Sequence, residues 1–229
     1  MNHAEIVARL RELGKDNSEY RYFNRKIIND ATVEYLGARV PEQRKIAKEI
    51  AKSGNYREFL AGNDWNIYEM KAIAFQLPEY LKKLNVDEFF ALYDGLIPHA
   101  SSWANTDSLG IKSKVVAENP AKAWAKIVQY LGSKNGWEVR IGLNLIFANF
   151  LNDEYIDRVI AQIQKVDARY RAKTERGTVE YYVKMMLAWT LAEAAINYRD
   201  KVEKALEKID DETAKMARQK MRDSRRVET

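Results

Sequence analysis

Cysteine is absent from this sequence, and histidine nearly so. Without cysteine the chain can form no disulfide bond, thiolate zinc site, iron–sulfur cluster or cysteine nucleophile. The two histidines, His3 and His99, are too few for a histidine-rich metal site. A Ser-His-Asp triad would depend on His99 alone, because His3 is close to the chain terminus. The sequence therefore predicts no metal site built from cysteine or histidine.

Glycine and proline are scarce as well, at 10 and 4 of 229 residues. Architectures rich in turns need more of both, so a β-sandwich or barrel is disfavoured. The hydrophobic fraction of 46% is enough to bury a core. The composition predicts an all-α protein.

Long hydrophobic runs are also missing. The longest stretches without a charged residue, 95–106 and 141–152, are 12 residues each, whereas a membrane-spanning helix needs about 20. The N-terminal stretch carries charges at Glu5, Arg9 and Glu12, where a signal peptide needs an apolar run. We expect a cytoplasmic protein.

Apolar residues recur at three- and four-residue spacing along most of the chain, which is the pattern of amphipathic helices. The pattern predicts helices at 4–13, 19–28, 41–51, 67–84, 87–96, 103–118, 121–131, 137–151, 154–166, 179–197, 201–208 and 211–223. Taken in pairs, these helices begin new units every 25 to 42 residues or so, a spacing of about the length of HEAT-type repeats.

Helical pairs of this kind bury their apolar faces by stacking on one another. We predict a single domain, residues 1–229, in which HEAT-like helical-pair repeats form a curved α-solenoid. An irregular helical bundle is the alternative. A solenoid with polar ends needs no partner for solubility, so we expect a monomer.

The chain has 38 basic and 33 acidic residues, a net charge of +5 that is compatible with a polyanionic partner. The basic residues cluster at Arg21, Arg25 and Lys26, at Arg39, Arg44, Lys45 and Lys48, at Arg169, Arg171, Lys173 and Arg176, and between Lys215 and Arg226. A charge run is more often a solvated helix face, so these clusters alone do not identify a nucleic-acid-binding protein.

Three local features carry candidate chemistry. Trp103 and Asp107 are four residues apart, so one helical face would hold an indole beside a carboxylate; helix capping by Asp107 is the alternative. Arg140 begins an otherwise apolar helix and needs an anion, either a carboxylate such as Asp107 or a phosphate. Trp189 belongs to a strongly apolar helix, where core packing is the simpler explanation.

Four stretches of the sequence resemble the DNA alkylation repair family of AlkD-type alkylpurine DNA glycosylases. They are YLGARVPEQRKIAKE at 35–49, WANTD at 103–107, WEVR with its following apolar residues at 137–147, and YYVKMMLAW at 181–189. They occur in the family's order and span most of the chain. The resemblance implies a HEAT-like solenoid that binds double-stranded DNA, preferably alkylated, and needs no cofactor.

The activity that the resemblance implies is hydrolysis of the N-glycosidic bond of N3- or N7-alkylated purines in duplex DNA, with the lesion left stacked instead of flipped. Asp107 matches the family's catalytic aspartate, and Arg140 matches the arginine beside the lesion. Trp103 and Trp189 match two aromatic residues that cradle the lesion's deoxyribose. The resemblance implies association with the nucleoid. The residues expected to contact DNA phosphates are Arg44, Lys45, Lys48, Arg169, Arg171 and Lys173.

The sequence departs from well-known members at two points. Those members carry an arginine three residues after the second tryptophan, where this chain has Ala192. An aromatic residue near the N-terminus helps at the site in some members, and its candidates here are Tyr22 and Phe23. Two other functions therefore stay open: a catalytically weak member that binds altered DNA through the same basic groove, and a HEAT-like scaffold for a protein partner.

Overall fold

Helices dominate the computed structural model, which describes residues 2–224. It is 72% helical, and among the described residues it has thirteen α-helices, one 3₁₀ turn and no β-strand. Within that range the β-type pairing is a single isolated bridge between Glu34 and Ile67. The all-α prediction is confirmed, and the succession of short helices is consistent with helical repeats. Of the predicted basic cluster at Lys215 to Arg226, Arg225 and Arg226 lie outside the described residues.

The helices divide between two compact units, one ending at Leu109 and the other beginning at Gly110. The first contains α1 (His3–Gly14), α2 (Ser18–Ile28), α3 (Val40–Ser53), α4 (Tyr56–Ala61), α5 (Tyr68–Tyr80), α6 (Val86–Leu96), the 3₁₀ turn (Ile97–His99) and α7 (Trp103–Ser108). The second contains α8 (Lys114–Glu118), α9 (Pro120–Leu131), α10 (Gly136–Asn149), α11 (Ile156–Asp167), α12 (Val179–Leu206) and α13 (Asp211–Asp223). The single domain and the curved solenoid stay predictions.

The central helix of the first unit is α5, in which every residue from Tyr68 to Pro78 is buried. Helices α3, α6 and α7 pack against it. This buried stretch contains two charged residues, Glu69 and Lys71, and burial of a charge is costly unless it has partners. Glu69 and Lys71 each have such partners, which lie in connections between helices.

Glu69 fixes the long connection between α2 and α3. Its carboxylate accepts hydrogen bonds from the backbone N–H groups of Leu36, at 2.9 Å, and Gly37, at 2.7 Å. Burial raises the pKa of Glu69, and these backbone hydrogen bonds oppose the rise. The 34–38 segment is thereby attached to the core, although its secondary structure is limited to the bridge at Glu34.

The second unit is built around α12, a helix of 28 residues. Helices α10, α11 and α13 pack against it. Its backbone leaves the helical region at Tyr198, where φ is −133° and ψ is 41°. The break predicted between 197 and 201 is therefore present as a kink within one element.

The structure differs from the predicted helices at two further points. The helix predicted at 103–118 is two short helices, α7 and α8, because the Asn149 side chain binds the backbone before α8. Its Nδ2 donates to the Ile111 carbonyl and its Oδ1 accepts from the Ser113 N–H, both at 2.9 Å. The apolar pattern also does not predict α4, since six residues are too few to show a helical period.

No helix in the described part of the chain is long and apolar enough to cross a membrane.

Gly14, the last residue of α1, tests the packing of this helix on the 34–38 segment. A Cβ there would lie 2.1 Å from the Leu36 carbonyl oxygen. We expect Gly14→Ala to lower the free energy of unfolding by about 1 to 3 kcal/mol, because neither backbone can move away freely. Urea denaturation measures the change.

The control is Gly95→Ala in α6, where an added Cβ meets nothing within 4 Å. Alanine should raise the free energy of unfolding there by up to about 1 kcal/mol, because it favours the helix. Equal effects at the two glycines would contradict the close approach of α1 to Leu36.

Candidate functional site

Helix α7 carries the first pair of predicted site residues, Trp103 and Asp107. They lie one turn apart on this six-residue helix, and both side chains are half-buried. Asp107 is not the N-cap of α7 or of α8, which begin after Ser102 and Ser113. The capping alternative is therefore wrong, and the shared helical face is confirmed.

The indole of Trp103 is tied to α2. Its Nε1–H donates to the Ile27 carbonyl oxygen at 3.1 Å, and its ring packs on a cluster formed by Ile28, Tyr35, Tyr68 and Ala72. One side of the ring is thus fixed by a hydrogen bond and apolar contacts.

The carboxylate of Asp107 is at the other end of the same turn. Its Oδ1 lies 3.3 Å from Thr106 Oγ1, which also lies 3.0 Å from the Trp103 carbonyl oxygen. Since a threonine hydroxyl has one hydrogen, it can donate to one of these oxygens at a time. A half-buried carboxylate of this kind can stabilise a positive charge in its vicinity.

Arg140 is 2% exposed, although it belongs to an otherwise apolar helix. Its guanidinium donates to the Tyr182 carbonyl oxygen and lies 5.9 Å from the centroid of the Tyr182 ring. These contacts connect α10 to α12. Its predicted pairing with Asp107 or a phosphate stays a prediction.

Trp189 is more exposed than core packing requires, at 38%. The Lys220 ammonium of α13 lies 5.1 Å from the centroid of a Trp189 ring, a cation–π contact. The indole face is therefore accessible to a cation. Ala192, one turn further along α12, is buried.

A buried lysine that the sequence analysis missed attaches α13 to α12. Lys184 is fully buried, and its Nζ lies 2.9 Å from Asp210 Oδ2 and 2.7 Å from Glu212 Oε2. Burial acts to lower the pKa of Lys184, but the two hydrogen bonds raise it overall. The hydrogen bond from Lys184 lowers the pKa of Glu212; at Asp210 burial opposes the same effect without cancelling it. A single lysine within the otherwise uncharged stretch 183–192 gives no sequence signal of this role.

Three of the predicted DNA-binding residues, Arg44, Lys45 and Lys48, lie on the exposed face of α3. Together with Lys52 they line an open cavity of about 440 Å³. The acid in this lining, Glu49, pairs with Arg9 at 2.6 Å. We call the four cations Arg44, Lys45, Lys48 and Lys52 the α3 stripe.

The other three predicted DNA-binding residues follow α11 and are exposed. The Arg169 guanidinium donates to the carbonyl oxygens of Leu131 and Ser133, so it also fixes the turn between α9 and α10. Arg171 has no such contact among those described. Lys173 lines an open cavity of about 560 Å³ with Arg169 and Lys134, and two acids, Glu175 and Glu180, line it too.

Helix α2 exposes apolar side chains to solvent. Tyr22 is 72% exposed and Phe23 55%, and Ile27, whose carbonyl holds Trp103, is 39% exposed. Exposed aromatic rings therefore share α2 with the two cations Arg25 and Lys26.

The described residues contain no group of three or more histidine, aspartate or glutamate side chains that could hold a metal ion.

Comparison with known protein families agrees with these features. The family model described as DNA alkylation repair enzyme matches residues 6–227. The chain therefore belongs to the DNA alkylation repair enzyme family, which supports a role in DNA repair. No curated protein matches the sequence.

Replacing Lys184 tests the attachment of α13. Lys184→Met leaves two carboxylates without their cation, and we expect it to lower the free energy of unfolding by about 3 kcal/mol at pH 7. Because the pKa values of Asp210 and Glu212 are lowered in the folded protein, their stabilising effect is present above about pH 4.5 and is lost as pH falls further. Stability should thus depend less on pH between 5 and 3 in the variant, as measured by urea denaturation.

The control is Lys201→Met, whose ammonium pairs with the exposed Asp157 at 2.7 Å. An exposed pair contributes little, so a change below about 1 kcal/mol is expected. A loss of stability in Lys184→Met no larger than in Lys201→Met would refute the attachment of α13 through Lys184.

Proposed function

We propose that this protein is a DNA glycosylase that hydrolyses the N-glycosidic bond of N3- or N7-alkylated purines in duplex DNA, with the lesion left stacked. Membership of the DNA alkylation repair enzyme family supports a repair activity. The glycosylase activity in particular is proposed from the shared face of α7, where the half-buried carboxylate of Asp107 follows the anchored indole of Trp103 by one turn.

Cleavage of this N-glycosidic bond needs little catalysis by the protein, because the alkylated purine already carries the positive charge that makes it a good leaving group. Alkylation at N3 or N7 gives the purine a positive charge. When the bond between C1′ and the purine nitrogen breaks, the purine keeps the electron pair and leaves as a neutral base. Water adds its oxygen to C1′ and loses a proton, which leaves an abasic site. No general acid is needed for the leaving group.

As this bond breaks, positive charge develops on the sugar. The Asp107 carboxylate stabilises that charge and orients or deprotonates the attacking water, as carboxylates do in glycoside hydrolysis. Trp103 and Trp189 present electron-rich faces to the cationic sugar, which contribute about 0.5 to 2 kcal/mol each. In this proposal Arg140 contributes positive charge near a phosphate beside the lesion.

Phosphate contacts hold the duplex. The α3 stripe supplies four exposed cations on one helix face, and Arg171 and Lys173 add two from the segment after α11. Such contacts are independent of base sequence. The exposed rings of Tyr22 and Phe23 on α2 are next to the carbonyl that holds Trp103, which makes α2 a further contact for DNA.

Base release by Asp107→Asn tests the proposal directly. Duplex DNA containing 7-methylguanine is incubated with excess protein, and the free base is measured by chromatography over time. We expect wild-type protein to release the base and Asp107→Asn to release it at least about 100-fold more slowly, because the variant lacks the negative charge.

Asp16→Asn is the matched control, since it removes the same charge from an exposed position in the same unit. It should release base at the wild-type rate. Equal rates for Asp107→Asn and wild type would remove Asp107 from the mechanism. DNA binding without base release would favour the DNA-binding alternative, and the absence of both would favour a protein-binding scaffold.

The salt dependence of DNA affinity tests the α3 stripe. Each phosphate contact contributes about 0.9 to the slope of log K against log salt concentration. Replacing Arg44, Lys45 and Lys48 by alanine together should reduce this slope by up to about 2.7. Fluorescence anisotropy of a labelled duplex at several salt concentrations measures it.

A triple variant of Lys201, Lys204 and Lys208 serves as the control, because it removes the same charge from exposed positions at the C-terminal end of α12 and just beyond it. Its slope should stay near that of the wild type. If both triple variants reduce the slope equally, DNA responds to net charge and the α3 stripe is not a binding surface.

A further inference from the structure

A cluster of three polar side chains, two of them buried and the third, Ser101, half-buried, lies directly before α7. Asp30, Ser101 and Lys71 come from the end of α2, the turn before α7 and the central helix α5. The Ser101 hydroxyl donates to Asp30 Oδ2, and Lys71 Nζ donates to Ser101 Oγ at 2.7 Å. Lys71 Nζ lies 3.7 Å from the same Asp30 oxygen. The side chains of Asp30 and Lys71 are 2% and 5% exposed.

The distances in this cluster indicate which groups donate; Asn105 Oδ1, at 3.4 Å from Ser101 Oγ, is a more distant acceptor than Asp30. Ser101 has one hydroxyl hydrogen and gives it to Asp30, while its oxygen accepts from Lys71. The other Asp30 oxygen accepts from the backbone N–H of Thr32, at 3.0 Å, and from the Thr32 hydroxyl, at 2.6 Å. Burial would raise the pKa of Asp30, but the hydrogen bonds from Ser101 and Thr32 lower it overall.

This arrangement does not make Ser101 a nucleophile. Its proton is donated to a carboxylate whose pKa is lowered, so the nearest base is weak. Lys71 is a donor to the same hydroxyl and does not accept its proton. The cluster instead attaches the turn before α7 to α5 and to the end of α2.

Helix α7 depends on such anchors because six residues are too few for a stable isolated helix. At its C-terminal end the Tyr93 hydroxyl, fully buried, donates to the Leu109 carbonyl oxygen at 2.8 Å. At its N-terminal end the anchors are Ser101 in the cluster and the hydrogen bond from Trp103 to Ile27. Asp30 and Ile27 lie on either side of the end of α2, so both anchors hold α7 to the same point.

We propose that Asp30, Ser101 and Lys71 are positioning residues that set the orientation of Trp103 and, through α7, of Asp107. This inference rests on the proposed function for its kinetic consequence, whereas its geometric consequence can be measured without any activity. Losing the cluster should misplace the indole and the carboxylate relative to a bound lesion. The DNA contacts of the α3 stripe do not pass through the cluster.

The test compares Ser101→Ala with Ser101→Thr, which keeps the hydroxyl, and with Asp30→Asn. The first readout is the indole N–H signal of Trp103 in the ¹⁵N–¹H spectrum of the whole protein, assigned by its loss in Trp103→Phe. The second is the single-turnover rate of 7-methylguanine release, and the third is the affinity for the same duplex. The control is Asn85→Ala, which removes the capping box of α6 in the same unit.

We expect Ser101→Ala and Asp30→Asn to shift or broaden the Trp103 indole signal and to slow base release at least tenfold, with DNA affinity within twofold of wild type. Ser101→Thr should restore the signal and the rate, and Asn85→Ala should lower thermal stability alone. If Ser101→Ala does not fold, Asp30→Asn makes the same comparison.

An unchanged Trp103 signal in folded Ser101→Ala or Asp30→Asn would overturn the inference. An unchanged rate of base release, in a wild type that is active, would overturn it too. If wild-type protein releases no base, the proposed function fails, and the indole signal still decides whether the cluster positions Trp103.

Discussion

A six-residue helix cannot hold an indole and a carboxylate in place by its own stability, so α7 depends on the groups that bind its ends. The central helix α5 supplies one of these groups. Its two buried charges each fix a connection: Glu69 binds the backbone of Leu36 and Gly37, and Lys71 binds Ser101 just before α7. A buried charge is tolerated only with such partners. The helix that forms the core of the first unit therefore also determines where Trp103 and Asp107 lie.

The second unit uses buried cations in a related way. Arg140 of α10 binds the backbone of α12 at Tyr182, and Lys184 of α12 binds two carboxylates at the start of α13. Helix α12, which takes part in both contacts, carries Trp189 on its exposed side. The Lys220 ammonium of α13 lies over the Trp189 ring. A cation already occupies a face of this indole. The same quadrupole would attract the cationic sugar of the proposed reaction.

The sequence predicts the helices well where the apolar pattern continues over several turns, as in α9, α10 and α12. It predicts them poorly where side chains from distant parts of the chain determine where a helix ends. Asn149 divides the predicted helix at 103–118 by binding the backbone at Ile111 and Ser113, a contact that no local pattern encodes. Trp103, Asp107, Arg140 and Trp189 stand out locally, and their roles are predicted by the resemblance to a family to which the chain belongs. The cluster of Asp30, Lys71 and Ser101 was not found, because its members are 30 or more residues apart and each residue type is unremarkable by itself.

In the proposed reaction the carboxylate on α7 recognises positive charge at the sugar of a damaged nucleotide. The sharpest measurement compares two duplexes in which a five-membered ring replaces the lesion's sugar, a cationic pyrrolidine in one and a neutral tetrahydrofuran in the other. A site built for the transition state should bind the cation at least tenfold more tightly, and Asp107→Asn should abolish the difference. Equal affinity of the wild-type protein for the two duplexes would show that the Asp107 carboxylate does not recognise positive charge at the sugar.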